Sequence, residues 1–290
     1  MMDETICLGD SLIQHGPFSN RVYLMKLAGT DLPGIVDKLD ALCGERGYTK
    51  IFAKVPGSHA APFLAAGYTR EAAIPGFFNG DDAGDFLSRF LDPGRADPGK
   101  DGPEIRRVLH LAESKAGRGG DIAPPPREVD SVFTCSPGDA DEMSDLYRRV
   151  FATYPFPIHD PAYLRKTMDS HVAYFGFRRE DGRLVALASA EMDVSAGNVE
   201  MTDFATLPEM RGRGLAQRLL STMELEMERR GLSVAYTIAR ALSPGMNITF
   251  SRRGYVFCGT LVNNTQISGK IESMNVWYKR LLVMENAGER

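Results

Sequence analysis

Between Val199 and Arg230 the sequence passes from an apolar run, VEMTDFATL, through PEM and the basic turn Arg211-Gly212-Arg213-Gly214, into the amphipathic run LAQRLLSTMELEMERR. A strand, a glycine-rich turn and a helix in that order impose a definite geometry. The first N–H groups of a helix have no intrahelical partner, and the helix dipole adds positive charge there. Such a turn is a seat for a phosphate-bearing ligand, to which Arg211 and Arg213 bring further charge. The tetrapeptide alone is more often a solvated loop than a phosphate site. Its surroundings, including a second strand and helix that end in Arg253-Gly254-Tyr255, are those a phosphate seat requires.

A chain of 290 residues has room for two domains. Hydrophobic content of 43% with 25% charge fits a globular protein with a full core. The formal net charge of -4 argues against a nucleic-acid partner and favours a small molecule. No apolar run reaches the roughly 18 to 20 residues of a membrane helix. The start, MMDETICLGDS, has no secretory leader pattern, so no membrane partner and a cytoplasmic location are expected. Cys7, Cys43, Cys135 and Cys258 form no C-x-x-C pair and read as reduced, mostly buried thiols; with the histidines also unclustered, no metal is expected.

Along the chain, residues 1–20 read as a loop or short hairpin before a strand over 21–27. Asp31 is expected to cap a helix carrying Ile35, Leu39 and Leu42 on one face, followed by a strand over 50–55 and a short helix over 58–66. Pro, Gly and charge dominate from Asp92 to Arg127, which reads as a linker with one amphipathic helix and a solvated set of basic residues, among them Arg95. The expected division is an α/β domain over 1–120, with the linker from about 92, and a second domain over 129–290. In that second domain the order is strand, two helices, paired strands about Asp181-Gly182, the VEMTDFATL strand, the long helix, strand, helix and closing strands. A helix ending at Gly47, then a strand, a helix and Gly67-Tyr68 parallel a helix ending at Gly231, then a strand, a helix and Gly254-Tyr255. The parallel suggests a degenerate internal repeat. The early copy lacks the basic glycine turn and is not expected to bind a coenzyme.

Arg211-x-x-Gly214-x-Ala216, with Leu207-Pro208-Glu209 ahead of it, resembles the R/Q-x-x-G-x-G/A signature of the GNAT acetyltransferase superfamily. The element order over about 129–285 is similar as well. The resemblance implies a C-terminal GNAT fold, a central mixed and mostly antiparallel sheet flanked by helices, behind a degenerate GNAT-like α/β domain. It implies acetyl-CoA as cosubstrate, its pyrophosphate on Arg211, Gly212, Arg213, Gly214, Leu215 and Ala216, and its pantetheine arm along Phe204, Ala205 and Thr206. Asn247 is a further coenzyme candidate. IQHG (13–16), YTKIFAKVP (48–56), ARALSPGMN (239–247), LVNN (261–264) and IESMNVWYK (271–279) resemble one branch of that superfamily, the β-lysine N-acetyltransferases, which make the compatible solute N6-acetyl-β-lysine.

An amine with a pKa of about 10.4 is protonated at neutral pH, so acetyl transfer needs a general base. Glu200 and Asp203 stand on the strand where the superfamily places a carboxylate. Three apart on an extended strand they point to opposite faces, so one of them is expected at the acetyl group, with Glu200 preferred. An oxyanion would be stabilised by a spare backbone N–H in 204–207. The superfamily's usual acid, a tyrosine four residues before the Gly-aromatic turn, is Phe250 here. Tyr255 or another hydroxyl is the alternative, or the thiolate leaves unprotonated. An acceptor with one carboxylate and two ammonium groups requires both charges in its pocket. Tyr154, Phe156, Asp160, Arg240, Asn263, Asn264 and Glu272 are the candidates. Other amines, a peptide terminus, and a non-catalytic acyl-CoA-binding module remain open, as does a homodimer.

Overall fold

The computed structural model describes residues 3–117 and 131–282. The expected domain boundary near 120–130 lies outside them. Thirteen strands among these residues form one continuous sheet. In the N-terminal half, β1 (Glu4–Leu8), β2 (Ser11–Gly16) and β3 (Arg21–Lys26) form an antiparallel meander. Helix α1 (Ile35–Arg46) crosses to β4 (Lys50–Pro56), parallel to β3, and α2 (Ala61–Ala65), β5 (Thr69–Phe78) and β6 (Asp82–Phe90) follow. The C-terminal half holds β7 (Phe133–Thr134), α4 (Ala140–Val150), α5 (Pro161–Met168), β8 (Val172–Arg178), β9 (Leu184–Asp193), β10 (Asn198–Thr206), α6 (Leu215–Arg229), β11 (Val234–Arg240), α7 (Pro244–Arg252), β12 (Val256–Ile267) and β13 (Lys270–Arg280). Helix α3 (Gly102–Glu113) lies between the halves in sequence.

The suggested repeat is written in the strand order. One half runs β1-β2-β3-β4-β6-β5, and the other runs β8-β9-β10-β11-β13-β12, with β7 beyond β8. In each half a helix carries the chain between the two parallel strands. The halves meet edge to edge, β5 against β12, at a register pair of Ala72 with Gly259. A side chain at Gly259 would put its Cβ 2.0 Å from the carbonyl oxygen of Glu71, so only glycine lets the two edges approach.

The same seam explains LVNN. Between Leu261 and Thr265 the register of β12 against β13 shifts, and Asn263 adopts φ 43°. This irregular backbone turns successive carbonyls toward the N-terminal half. Lys50 Nζ donates to Val262 O (2.7 Å), Arg95 Nε to Asn263 O (2.6 Å) and Arg21 Nη1 to Asn264 O (2.7 Å). Glu71 completes the clasp by pairing with Lys50 and accepting from the Val262 N–H. Arg95, expected on a solvated linker, is buried, because these carbonyls and Ser19 O supply acceptors that water would otherwise give. Helix α3 packs on α7, with Ser251 Oγ donating to Ala112 O.

Local chemistry accounts for most elements. In α6, Leu215, Leu219, Leu220, Met223 and Met227 are buried along one stripe, each worth about 1.5–3 kcal/mol of apolar burial. Gly47 caps α1 in the left-handed region, and Gly182 (φ 82°) makes the β8–β9 turn. Asp31 does not cap α1 as expected. It accepts from the Asp10 N–H and Ser11 hydroxyl in the β1–β2 turn, and α1 begins after Gly34. Two of the four cysteines, Cys43 and Cys135, are buried; Cys7 is exposed and Cys258 half-buried. No helix of the described residues is long and apolar enough to cross a membrane.

Candidate active site

Parallel strands β10 and β11 are in register only from Asn198 to Glu200, opposite Val234 to Tyr236. Beyond Glu200 they separate, while β11 stays paired with β13 as far as Arg240. The separation leaves a slot along residues 201–206 that opens toward the turn before α6. There Gly212 (φ 76°) and Gly214 (φ 75°) take left-handed backbone, and a Cβ on either would meet no protein atom within 4 Å. Gly214 is the N-cap of α6 and offers no side chain to the first-turn N–H groups, which remain for an anion. Exposed Arg211 flanks this opening, its Nε donating to Thr206 O (3.2 Å). The turn therefore fits a coenzyme diphosphate, and the slot fits an extended arm. Leu215 faces the core; Phe204 sets its ring edge against Phe250, and the Leu207 N–H is spent on Val185 O. The Leu207 N–H is thus not free to serve as an oxyanion donor.

A cavity of about 470 Å³ adjoins Glu200, and both halves of the chain line it. The C-terminal half contributes Glu191, Glu200, Thr202, Asp203, Tyr154, Phe156, Tyr236 and Asn264, and the N-terminal half contributes Arg21, Tyr23, Phe52 and Lys54. Alternation on β10 brings Glu200 and Thr202 to one face. Asp203 joins them, against expectation, because the register with β9 shifts between Thr202 and Ala205 and Asp203 takes φ 55°. This bulge re-aims a side chain that an unbroken strand would send to the other face.

The two carboxylates differ in their surroundings. Asp203 accepts from Tyr154 through one oxygen and from Ser189 (2.6 Å) through the other, so both oxygens are engaged. Burial raises its pKa, and these hydroxyl donors pull it back. Glu200 is pushed up to about 7, chiefly by burial and then by Glu191, against the opposing pull of Lys54 and of the Tyr236 hydroxyl that donates to it. Lys54 Nζ donates to the Tyr236 oxygen at 3.0 Å, which completes a chain from ammonium to phenol to carboxylate. A carboxyl that titrates near neutrality on a cavity wall is suited to take a proton from an amine.

Several other expected residues are used elsewhere. Asp160 caps α5 by accepting from the Ala162 N–H (2.9 Å). Arg240 and buried Glu272 pair with each other through two bonds of 2.9 and 2.7 Å, so neither charge is offered to a ligand. Asn263 donates to Arg95 O and Asp97 O in the seam. Tyr255 lies in the core with its ring against Phe250 at 5.0 Å and does not line the cavity. Burial and then Glu224 push its hydroxyl well above the usual phenol range, which makes it a poorer acid. Asn247 is buried and saturated. Its Nδ2 donates to Arg240 O and Ser243 O, and its Oδ1 accepts from Asn275 Nδ2 and Trp277 Nε1. Asn247→Ala should therefore cost about 1–3 kcal/mol of stability in denaturant titration while leaving the coenzyme KM unchanged.

Composition and motif reading missed Arg21, Tyr23, Lys54, Glu191 and Tyr236 as cavity residues. A usable signal existed: Lys54 interrupts the otherwise apolar IFAKV, and Arg21 shares one face of its strand with Tyr23 and Met25.

A model of the acetyltransferase (GNAT) family matches residues 140–245. The β-lysine N6-acetyltransferase of Methanococcus maripaludis is 41% identical over 281 residues, covering 96% of this chain and 99% of that protein. The enzyme of the same name from Methanosarcina mazei is 43% identical over 143 residues, covering 49% of this chain and 52% of that protein. The N-acetyltransferase YodP of Bacillus subtilis is 32% identical over 278 residues, 93% of this chain and 96% of that one. Kinship along nearly the whole chain, with the glycine turn before α6 inside the segment matched by the family model, means that the chain belongs to the GNAT family and is an acetyl-CoA-dependent N-acetyltransferase.

Proposed function

We propose that the chain acetylates the terminal amine of β-lysine, with Glu200 as general base. The observation that carries this reading is the cavity. It is small, it is built by both halves, and it sets a half-buried carboxylate near neutrality among cations and acids able to receive an amino acid with two amines. The relative from Methanococcus maripaludis, a β-lysine N6-acetyltransferase aligned over nearly its full length, supports that choice of acceptor.

In this reading Glu200 takes the proton of the bound ammonium, and the freed amine attacks the thioester carbonyl lying in the slot between β10 and β11. A spare N–H of residues 201–206 stabilises the oxyanion. As the intermediate collapses, the C–S bond breaks and coenzyme A departs as the thiolate, since Phe250 has no proton to give, while the second proton on the new amide nitrogen passes to solvent. Asp203, held by Tyr154 and Ser189, keeps negative charge in the wall and favours binding of the cationic acceptor. Incubation with acetyl-CoA and β-lysine, following thiol release and the position of the new amide, tests the proposal. Release with acetylation at N6 is expected. Acetylation only of a peptide amine would overturn the acceptor assignment.

A further inference from the structure

Four basic side chains line the cavity: Arg21, Lys26, Lys54 and His171. Three have acidic company. Lys26 lies 3.2 Å from Asp193, His171 lies 3.7 Å from Glu191, and Lys54 sits in the combined field of Glu200, Glu191 and Asp193. Arg21 has no ion pair among the described residues, although it is only 3% exposed. Its Nη1 donates to Asn264 O (2.7 Å) and Thr265 Oγ1 (3.0 Å), and its Nη2 reaches Gln14 Oε1 only at 3.5 Å. Its Nε is buried without any partner among the described residues. The adjacent Asn264, also on the cavity wall, has an unpartnered buried Oδ1. Tyr23 lies beneath the guanidinium, 5.1 Å from ring centroid to Cζ, and keeps it in place.

A guanidinium without an ion pair is costly in so dry a position. Burial pulls its pKa down to about 10 against the opposing fields of Tyr23 and of Asp3, which makes no ion pair with it. Its planar fork suits a carboxylate, and the spare Nε and the weakly used Nη2 are the two donors a bidentate carboxylate would take. Resting on the reading of the cavity given above, we infer that Arg21 is the receptor for the carboxylate of the acceptor, so that the N-terminal half selects an amino acid over a bare diamine. Asn264 Oδ1 then stands in the same corner to accept from an ammonium near that carboxylate, as the 3-amino group of a β-amino acid is. The degenerate half of the molecule thereby supplies acceptor specificity while the other half supplies the acetyl donor.

The test compares β-lysine with its carboxamide, which keeps both amines and loses the negative charge. The wild-type protein should prefer the acid by at least about 100-fold in kcat/KM, carried mainly by KM. Arg21→Met should bring that ratio close to one, and Arg21→Lys should restore part of it, with acetyl-CoA affinity and Tm monitoring the fold. Equal use of acid and amide by the wild type overturns this inference and leaves the acetyltransfer reading intact, whatever the variants do. A variant that loses activity on both substrates in proportion, keeping the wild-type ratio, assigns Arg21 to the seam alone and also overturns it. Turnover of neither substrate by the wild type overturns the acceptor reading and this inference with it.

Discussion

Glu200→Gln is expected to lower kcat/KM for the amine by about 100- to 10,000-fold without weakening acetyl-CoA binding. The isosteric amide keeps the packing of β10 and can still bond Tyr236, but it cannot take a proton. The pH profile gives the sharper readout. A base works only when ionised, and the pKa of Glu200 is raised to about 7 by burial and Glu191. Wild-type kcat/KM should thus rise with pH up to about 7 and fall away on the acid side. Removal of Lys54, which lowers this pKa, should move the acid limb to higher pH, so Lys54→Met provides a second measurement. If Asp203→Asn abolishes the limb and Glu200→Gln leaves it in place, the two carboxylates exchange roles.

Gly214→Val should raise the KM for acetyl-CoA by about 10- to 100-fold while changing the amine KM little. No protein atom lies within 4 Å of an added Cβ, so the cost is not a clash within the fold. It comes from forcing a β-branched residue to φ 75° and from branches projecting over the first N–H groups of α6. Arg211→Ala should have a smaller effect that shrinks further as salt is added, because its guanidinium is exposed. Isothermal titration with coenzyme A separates these effects from catalysis, and an unchanged affinity in Gly214→Val would remove the turn from the site.

Both predictions rest on features of different legibility. The strand, glycine turn and helix proposed to hold the coenzyme were readable because they are contiguous, and each obeys a short-range rule. The repeat was readable from spacing alone, since glycine caps recur at 47 and 67 and again at 231 and 254, and the strand orders of the halves agree. The companionship of Glu200 and Asp203 was not readable. Alternation sends them to opposite faces, and a single left-handed residue, at a bulge fixed by pairing with β9, reverses that outcome. Arg240 and Glu272 looked like two ligands because sequence gives charge without partner, and a pair 32 positions apart forms only when β11 lies against β13. Asn247 was misread for the same reason: its four hydrogen bonds come from α7, β11 and β13 together.

The sequence by itself determined the fold of the C-terminal half, the glycine turn proposed to seat the acyl donor and the carboxylates proposed as the base, because propensity, capping and hydrophobic period act over neighbouring residues. Only the tertiary structure decided which residues line the cavity proposed for the acceptor. The cavity wall draws on β3, β4, β9, β10, β11 and β12 among other elements, and the polar residues that meet there are up to 243 positions apart, as Arg21 and Asn264 are. Whether a buried charge faces a partner, a carbonyl or an open cavity depends on long-range register, and no local pattern encodes that register.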